Sequence, residues 1–90
     1  MNVCARCVVS GKVQGVWYRQ STLRMAEALE VTGWVKNLDS GDVELLACGK
    51  EEDVEKLKSW LWQGPVNAEV SAVKCESVDY EVHNAFVVTY

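Results

Sequence analysis

"VCARCVVSGKVQGVWYR", Val3 to Arg19, sets a strand against a helix across two glycines. In "VCARCVVS" the alternate positions Ala5, Cys7 and Val9 make an apolar face, while Cys4, Arg6, Val8 and Ser10 make a mixed one. That two-residue period predicts a β-strand. Gly11 to Gly15 is a turn. From about Gln20 to Glu30, Thr22, Met25, Ala26 and Leu29 recur at helical spacing, so the turn is expected to feed a helix.

Outward from this unit the alternation continues. "TGWVKN" (Thr32 to Asn37) reads as a short strand, "LDSG" is turn chemistry, and "DVELLACG" (Asp42 to Gly49) folds back as a second strand. There Val43, Leu45 and Ala47 share one face; Glu44, Leu46 and Cys48 share the other. A second helix is expected from about Glu51 to Trp62. Its acidic first turn, Glu51-Glu52-Asp53, suits the positive end of the helix dipole. Its apolar stripe is Val54, Leu57, Trp60 and Leu61, and Gly64-Pro65 is a stop signal. A strand from about Glu69 to Val78, a loop through His83 and a short terminal strand "AFVVTY" complete the chain. The order is β-α-β-β-α-β with an extra short strand. Two helices cover only one face of a four- or five-stranded sheet. The expected fold is therefore α+β, a ferredoxin-like two-layer sandwich with an antiparallel sheet and both helices on one face.

Ninety residues have room for one core, so residues 1–90 are expected to form one domain. No apolar run is long enough to span a membrane. The N-terminal stretch carries an arginine and lacks a signal-peptide layout, which makes a cytoplasmic protein the expectation. Thirteen Asp and Glu against nine Lys and Arg leave the chain acidic. That argues against a nucleic-acid partner, which needs a basic footprint. An anion site is still open to such a chain if backbone N–H groups and one or two cations build it locally.

The turn after the first strand meets that condition. Its amides can converge into an anion-binding nest, and the helix N-terminus adds unpaired N–H groups and partial positive charge. Arg19 stands at the junction with a planar fork of donors that matches phosphate. The strand that ends at Asn37 lies near the first one in this fold. Asparagine has an acceptor and two donors, enough to hold a water beside a bound phosphoryl group. A tight connector turn with a solvated Arg19 explains the same spacing.

"GKVQGVWYR", Gly11 to Arg19, resembles the acylphosphatase signature G-x-V-Q-G-V-x-F-R, with Tyr18 in place of phenylalanine, which keeps the ring and adds a hydroxyl that needs water or a partner. "GWVKN", Gly33 to Asn37, resembles the second signature of that family. "DSGDVE" follows where the family has a D-G-x-V-E hairpin. "GPVNAEV" (Gly64 to Val70) and the terminal "F-x-x-x-Y" fit as well. The resemblance covers essentially the whole chain. Leu38 is apolar where some family members carry a hydroxyl residue, so no role for such a hydroxyl carries over.

The resemblance implies hydrolysis of the carboxyl–phosphate bond in acyl phosphates, by a monomeric enzyme with no cofactor and no metal. Carried over by position, Arg19 binds the phosphoryl group together with backbone amides of Gln14, Gly15, Val16, Trp17 and Tyr18, and Asn37 orients the attacking water. Inorganic phosphate is then a product and a ligand of the same turn. Acetyl, carbamoyl, aspartyl and glyceroyl phosphates are candidate substrates, with loose specificity expected from a site that grips the phosphoryl end. The resemblance also raises the question of whether the terminal carboxylate of Tyr90 holds Arg19.

Two rivals are a phosphate-binding module of the same fold without turnover and an RNA-binding domain of similar topology. Asn37 argues against the first. The acidic charge and the lack of an aromatic pattern on the central strands argue against the second. Cys4-x-x-Cys7 resembles a metal pair, and metallochaperones share this element order. Here, however, the pair lies within a strand, and a separation of three puts the thiols on opposite faces. Cys4 and Cys48 instead share the outer, non-helical face on neighbouring antiparallel strands. That arrangement allows a Cys4–Cys48 disulfide if the Cα atoms approach within about 7 Å, with reduced thiols as the alternative in a cytosolic protein. Cys7 reads as core, and Cys75 faces either way. His83 reads as a solvated loop residue, and Trp17 as a surface ring beside the turn, with shaping entry for the acyl group as its alternative role.

Overall fold

The structure is a computed structural model that describes residues 1–90. Five strands and two helices follow in the expected order: β1 (Asn2–Lys12), α1 (Tyr18–Ala28), β2 (Thr32–Asn37), β3 (Val43–Lys50), α2 (Glu51–Leu61), β4 (Glu69–Val78) and β5 (Phe86–Val88). The strands form one sheet in the order β4-β1-β3-β2-β5. Chain neighbours β2 and β3 form a hairpin, and β1 lies between β3 and β4, antiparallel to both.

The strand periodicity decides which face the helices cover. Ala5, Cys7 and Val9 of β1 and Val43, Leu45 and Ala47 of β3 join Val54, Leu57 and Leu61 of α2 and Tyr18 and Ala26 of α1 in one core cluster. Burying a side chain of valine or leucine size contributes about 1.5–3 kcal/mol, so this layer carries most of the fold's stability. The opposite face holds only a small cluster of Cys4, Leu46 and Cys48 with Trp34 and Val78 against it. Beside it Glu44, only 6% exposed, is paired by Arg6 and Lys36.

The sheet departs from expectation at one edge. It is antiparallel through four strands, but β5 pairs with β2 in parallel, Gly33 opposite Phe86 and Val35 opposite Val88. The cause is where β4 ends. It finishes beside Cys4, near the start of β1, which is also the end of the sheet where β2 begins. Residues 79–85 cross that end, with the Glu81 N–H donating to Cys4 Sγ at 3.2 Å. A chain that enters the edge from there must run alongside β2 in the same direction. It therefore carries Thr89 and Tyr90 to the end of the sheet where β1 gives way to α1.

Both cysteine pairs are bonded. Cys4 and Cys48, directly opposite on β1 and β3, form one disulfide. Cys7 and Cys75, directly opposite on β1 and β4, form a second. The two Cys-x-x-Cys sulfurs lie on opposite faces of the sheet, Cys7 in the helical layer and Cys4 outside it.

Candidate active site

The turn from Val13 to Trp17 is shaped by backbone conformation. Gly15 and Trp17 take positive φ, 76° and 67°, and Val16 between them does not. Alternation of left- and right-handed residues turns successive N–H groups toward one side, the geometry of an anion nest. No N–H from Gln14 to Trp17 donates to a main-chain acceptor. Helix α1 begins at Tyr18 with no side-chain cap and no acidic residue in its first turn. Its dipole is left uncompensated at the turn, whereas α2 starts on Glu51, Glu52 and Asp53.

Two anchors hold the turn in place, one half-buried and one buried. The Gln14 side chain donates through Nε2 to the carbonyls of Leu38 at 2.8 Å and Asp42 at 2.9 Å. This straps the turn to the β2–β3 hairpin one residue past Asn37. Tyr18, 1% exposed, points into the core and donates its hydroxyl to the Leu61 carbonyl at 2.6 Å. That carbonyl belongs to the last turn of α2, where no intrahelical partner exists. Burial pushes the Tyr18 hydroxyl pKa well above its usual value of 10.0. Gly64, at φ 63°, lets the chain pass the Tyr18 ring; a Cβ there would stand 2.7 Å from a ring carbon.

Arg19 is held from the far end of the chain. Its Nη1 donates to the Thr89 carbonyl at 3.1 Å, and its guanidinium carbon lies 4.6 Å from the centre of the Tyr90 ring. The partners are thus a main-chain carbonyl and an aromatic face, and Arg19 forms no ion pair with the Tyr90 carboxylate. One of five guanidinium donors is engaged by Thr89, which leaves the others for an oxyanion. Gly15, Trp17, Arg19, Gln20, Val88 and Tyr90 line a cleft of about 320 Å³.

The expected residues therefore meet in part. Gly15, Trp17 and Arg19 share the cleft, while Gln14 and Tyr18 turn their side chains away to anchor the turn. Asn37 ends β2 half-buried, tied to the turn through the Gln14 strap, and is not among the cleft-lining residues. His83 stands apart, its Nε2 3.0 Å from Glu81 Oε1. The Leu61 carbonyl is the partner that the hydroxyl added at Tyr18 requires. The Gln14 strap was not expected; its only signal in the sequence is a polar side chain, which in a packed turn demands a partner.

The family model described as acylphosphatase matches residues 5–88. The chain belongs to the acylphosphatase family. An acylphosphatase of Coxiella burnetii is 51% identical over 83 residues, which are 92% of this chain and 87% of that protein. One from Nitrosococcus oceani is 52% identical over 79 residues, 88% of this chain and 89% of its own length. Among solved structures, an acylphosphatase from Coxiella burnetii superposes with a TM-score of 0.95 at 49% identity, covering 98% of this chain and 93% of that one. The acylphosphatase from Bacillus subtilis gives a TM-score of 0.95 at 32% identity over the full length of both chains. Acylphosphatases are enzymes that take small acyl phosphates as substrates, and this chain is such an enzyme. No helix is long and apolar enough to cross a membrane.

Proposed function

We propose that the chain, acting as one domain, hydrolyses acyl phosphates by gripping the phosphoryl group between Arg19 and the amides of Gln14 to Tyr18, with Asn37 positioning the water. The observation that carries this reading is the fixed Arg19 beside unpaired, left-handed turn amides at an uncapped helix start. Each donor is held by structure remote from the reacting atoms, so little reorganisation is needed when charge develops.

The chemistry asks little else of the protein. The water oxygen bonds to phosphorus, the P–O bond to the acyl group breaks, and the carboxylate leaves with the electron pair. The water proton passes to phosphate or solvent. A carboxylate is a weak base, so its departure needs no general acid. A loose transition state spreads charge over three equatorial oxygens, which an arginine fork and a ring of amides complement. The Asn37 carbonyl oxygen accepts a hydrogen bond from the water and sets it in line with the breaking bond. No metal or cofactor takes part in this scheme. We read the enzyme as a cytoplasmic monomer whose ligands are the acyl phosphate and the inorganic phosphate it releases.

The deciding experiment is hydrolysis of benzoyl phosphate in the presence of chelator, wild type beside Asn37→Ala. Turnover that survives chelation and falls at least about 10²-fold in the variant, with phosphate binding kept, is the expected result. Phosphate binding without turnover in the wild type would make the turn a phosphate cradle and the protein a binding module.

A further inference from the structure

Trp17 is the one cleft residue whose ring nothing else in the fold requires. It is 77% exposed, although an indole is the largest apolar surface a side chain offers. It also sits at φ 67° and ψ 23°, a conformation that glycine takes freely and bulky residues seldom adopt. The turn needs the left-handed backbone at this position; it does not need the ring. A ring kept in a backbone conformation that disfavours it, without packing into the core, points to a contact outside the fold.

The cleft supplies the place for that contact. Its lining divides by chemistry. Gly15, Arg19 and Gln20 offer the amide and guanidinium donors, while Trp17, Val88 and Tyr90 form the apolar side. At about 320 Å³ the cleft falls at the small end of the roughly 300–1,000 Å³ range of small-molecule sites. A phosphoryl group alone does not fill it. The apolar side stands next to Arg19, within reach of the acyl group of a substrate whose phosphorus Arg19 holds.

We propose, resting on the hydrolase reading above, that the Trp17 side chain is the acyl-recognition element of the site and confers a preference for acyl phosphates with flat, uncharged aromatic or apolar acyl groups. An aromatic acyl group gains by offset stacking on the indole. An acyl tail with a second carboxylate meets the negative face of the ring, with Arg19, the one cation lining the cleft, already committed to the phosphoryl end. The phosphoryl grip stays indifferent to the acyl group, so discrimination appears in KM.

The test is kcat/KM for benzoyl phosphate and for acetyl phosphate in wild type, Trp17→Gly and Trp17→Phe. Glycine keeps the left-handed backbone and removes the ring; phenylalanine keeps an aromatic face. The benzoyl-to-acetyl ratio is expected to fall about tenfold in Trp17→Gly, through KM for benzoyl phosphate, and to return within about threefold of wild type in Trp17→Phe. A ratio within about twofold of wild type in Trp17→Gly, whatever happens to the absolute rates, overturns the proposal. Wild-type inactivity toward both substrates overturns the hydrolase reading itself, and the acyl-recognition role with it.

Discussion

Arg19 donates through Nη1 to the main-chain carbonyl of Thr89 at 3.1 Å, across 70 positions of the chain. The bond exists because β5 runs parallel to β2 and delivers Thr89 to the mouth of α1, where the Thr89 N–H also donates to the Val35 carbonyl at 2.8 Å. Three distant segments thus agree on one pose of the guanidinium. The pose matters because only a planar fork can grip one acceptor and still present paired donors to phosphate. Arg19→Lys keeps the charge and loses the fork. Its kcat/KM is expected to fall about 10²–10³-fold, with folding stability within about 1 kcal/mol of wild type, because one part-buried bond is at stake. Steady-state kinetics beside urea unfolding checks both. Activity within tenfold of wild type would remove Arg19 from the reaction.

The Gln14 strap separates geometry from stability in the same way. The Leu38 and Asp42 carbonyls it caps also accept from the hairpin itself, Gly41 N–H to Leu38 and Leu38 N–H to Asp42. Neither is orphaned when the strap goes. Gln14→Ala is therefore expected to cost only about 1 kcal/mol of stability. The turn and Asn37 would no longer share a fixed distance, and a displacement near 1 Å costs about 10²-fold in rate. Gln14→Glu is expected to be worse, since a carboxylate has no proton to give and would face two carbonyls. Equal kcat in wild type and Gln14→Ala would show that the strap has no hand in positioning.

Much of this was legible in the residues because it depends on short-range periodicity. The parity of Ala5, Cys7 and Val9 and of Val43, Leu45 and Ala47 alone places the helices on one face. The same parity brings Cys4 opposite Cys48. What escaped depends on partners distant in the chain. The parallel course of β5 follows from the crossing of residues 79–85, which no local pattern reveals. The Cys7–Cys75 pair needs the β1–β4 register, which shifts at Ser10 and Gly11 and so defeats counting along the strand. Tyr18 reads as a motif position, yet its hydroxyl finds a carbonyl 43 residues away.

That buried hydroxyl makes stability depend on pH in the alkaline range. Burial raises the Tyr18 pKa in the folded protein, while the unfolded chain titrates near 10. Above about pH 10 the unfolded state gives up a proton that the native state keeps, so the native state binds more protons and stability falls as pH rises. The contribution is complete below about pH 10 and declines by up to about 1.4 kcal/mol per pH unit above it. Tyr18→Phe is expected to lose about 1 kcal/mol at neutral pH, with the Leu61 carbonyl left without its partner, and to show a correspondingly shallower alkaline decline. Urea unfolding from pH 8 to pH 11.5 measures both. Parallel curves for the two proteins would assign the alkaline loss to other groups.

The two disulfides are expected to differ in access more than in the stability they confer. They close loops of 44 and 68 residues, and chain entropy distinguishes these by only about 0.4 kcal/mol. Removing either should cost about 2–5 kcal/mol. Cys4 and Cys48 are 2% and 0% exposed, and the 79–85 segment covers Cys4. Cys75 is half-buried on β4, an edge strand, although its partner Cys7 is fully buried. A thiolate must reach a sulfur to exchange with it, so reductant should open Cys7–Cys75 first and Cys4–Cys48 only on wider unfolding. Timed alkylation with peptide mapping during exposure to dithiothreitol reads the order directly. Appearance of the Cys4 and Cys48 thiols before those of Cys7 and Cys75 would overturn it. The same mapping on cells alkylated at lysis bears on compartment, since a reducing cytosol works against any bond whose sulfurs it can reach.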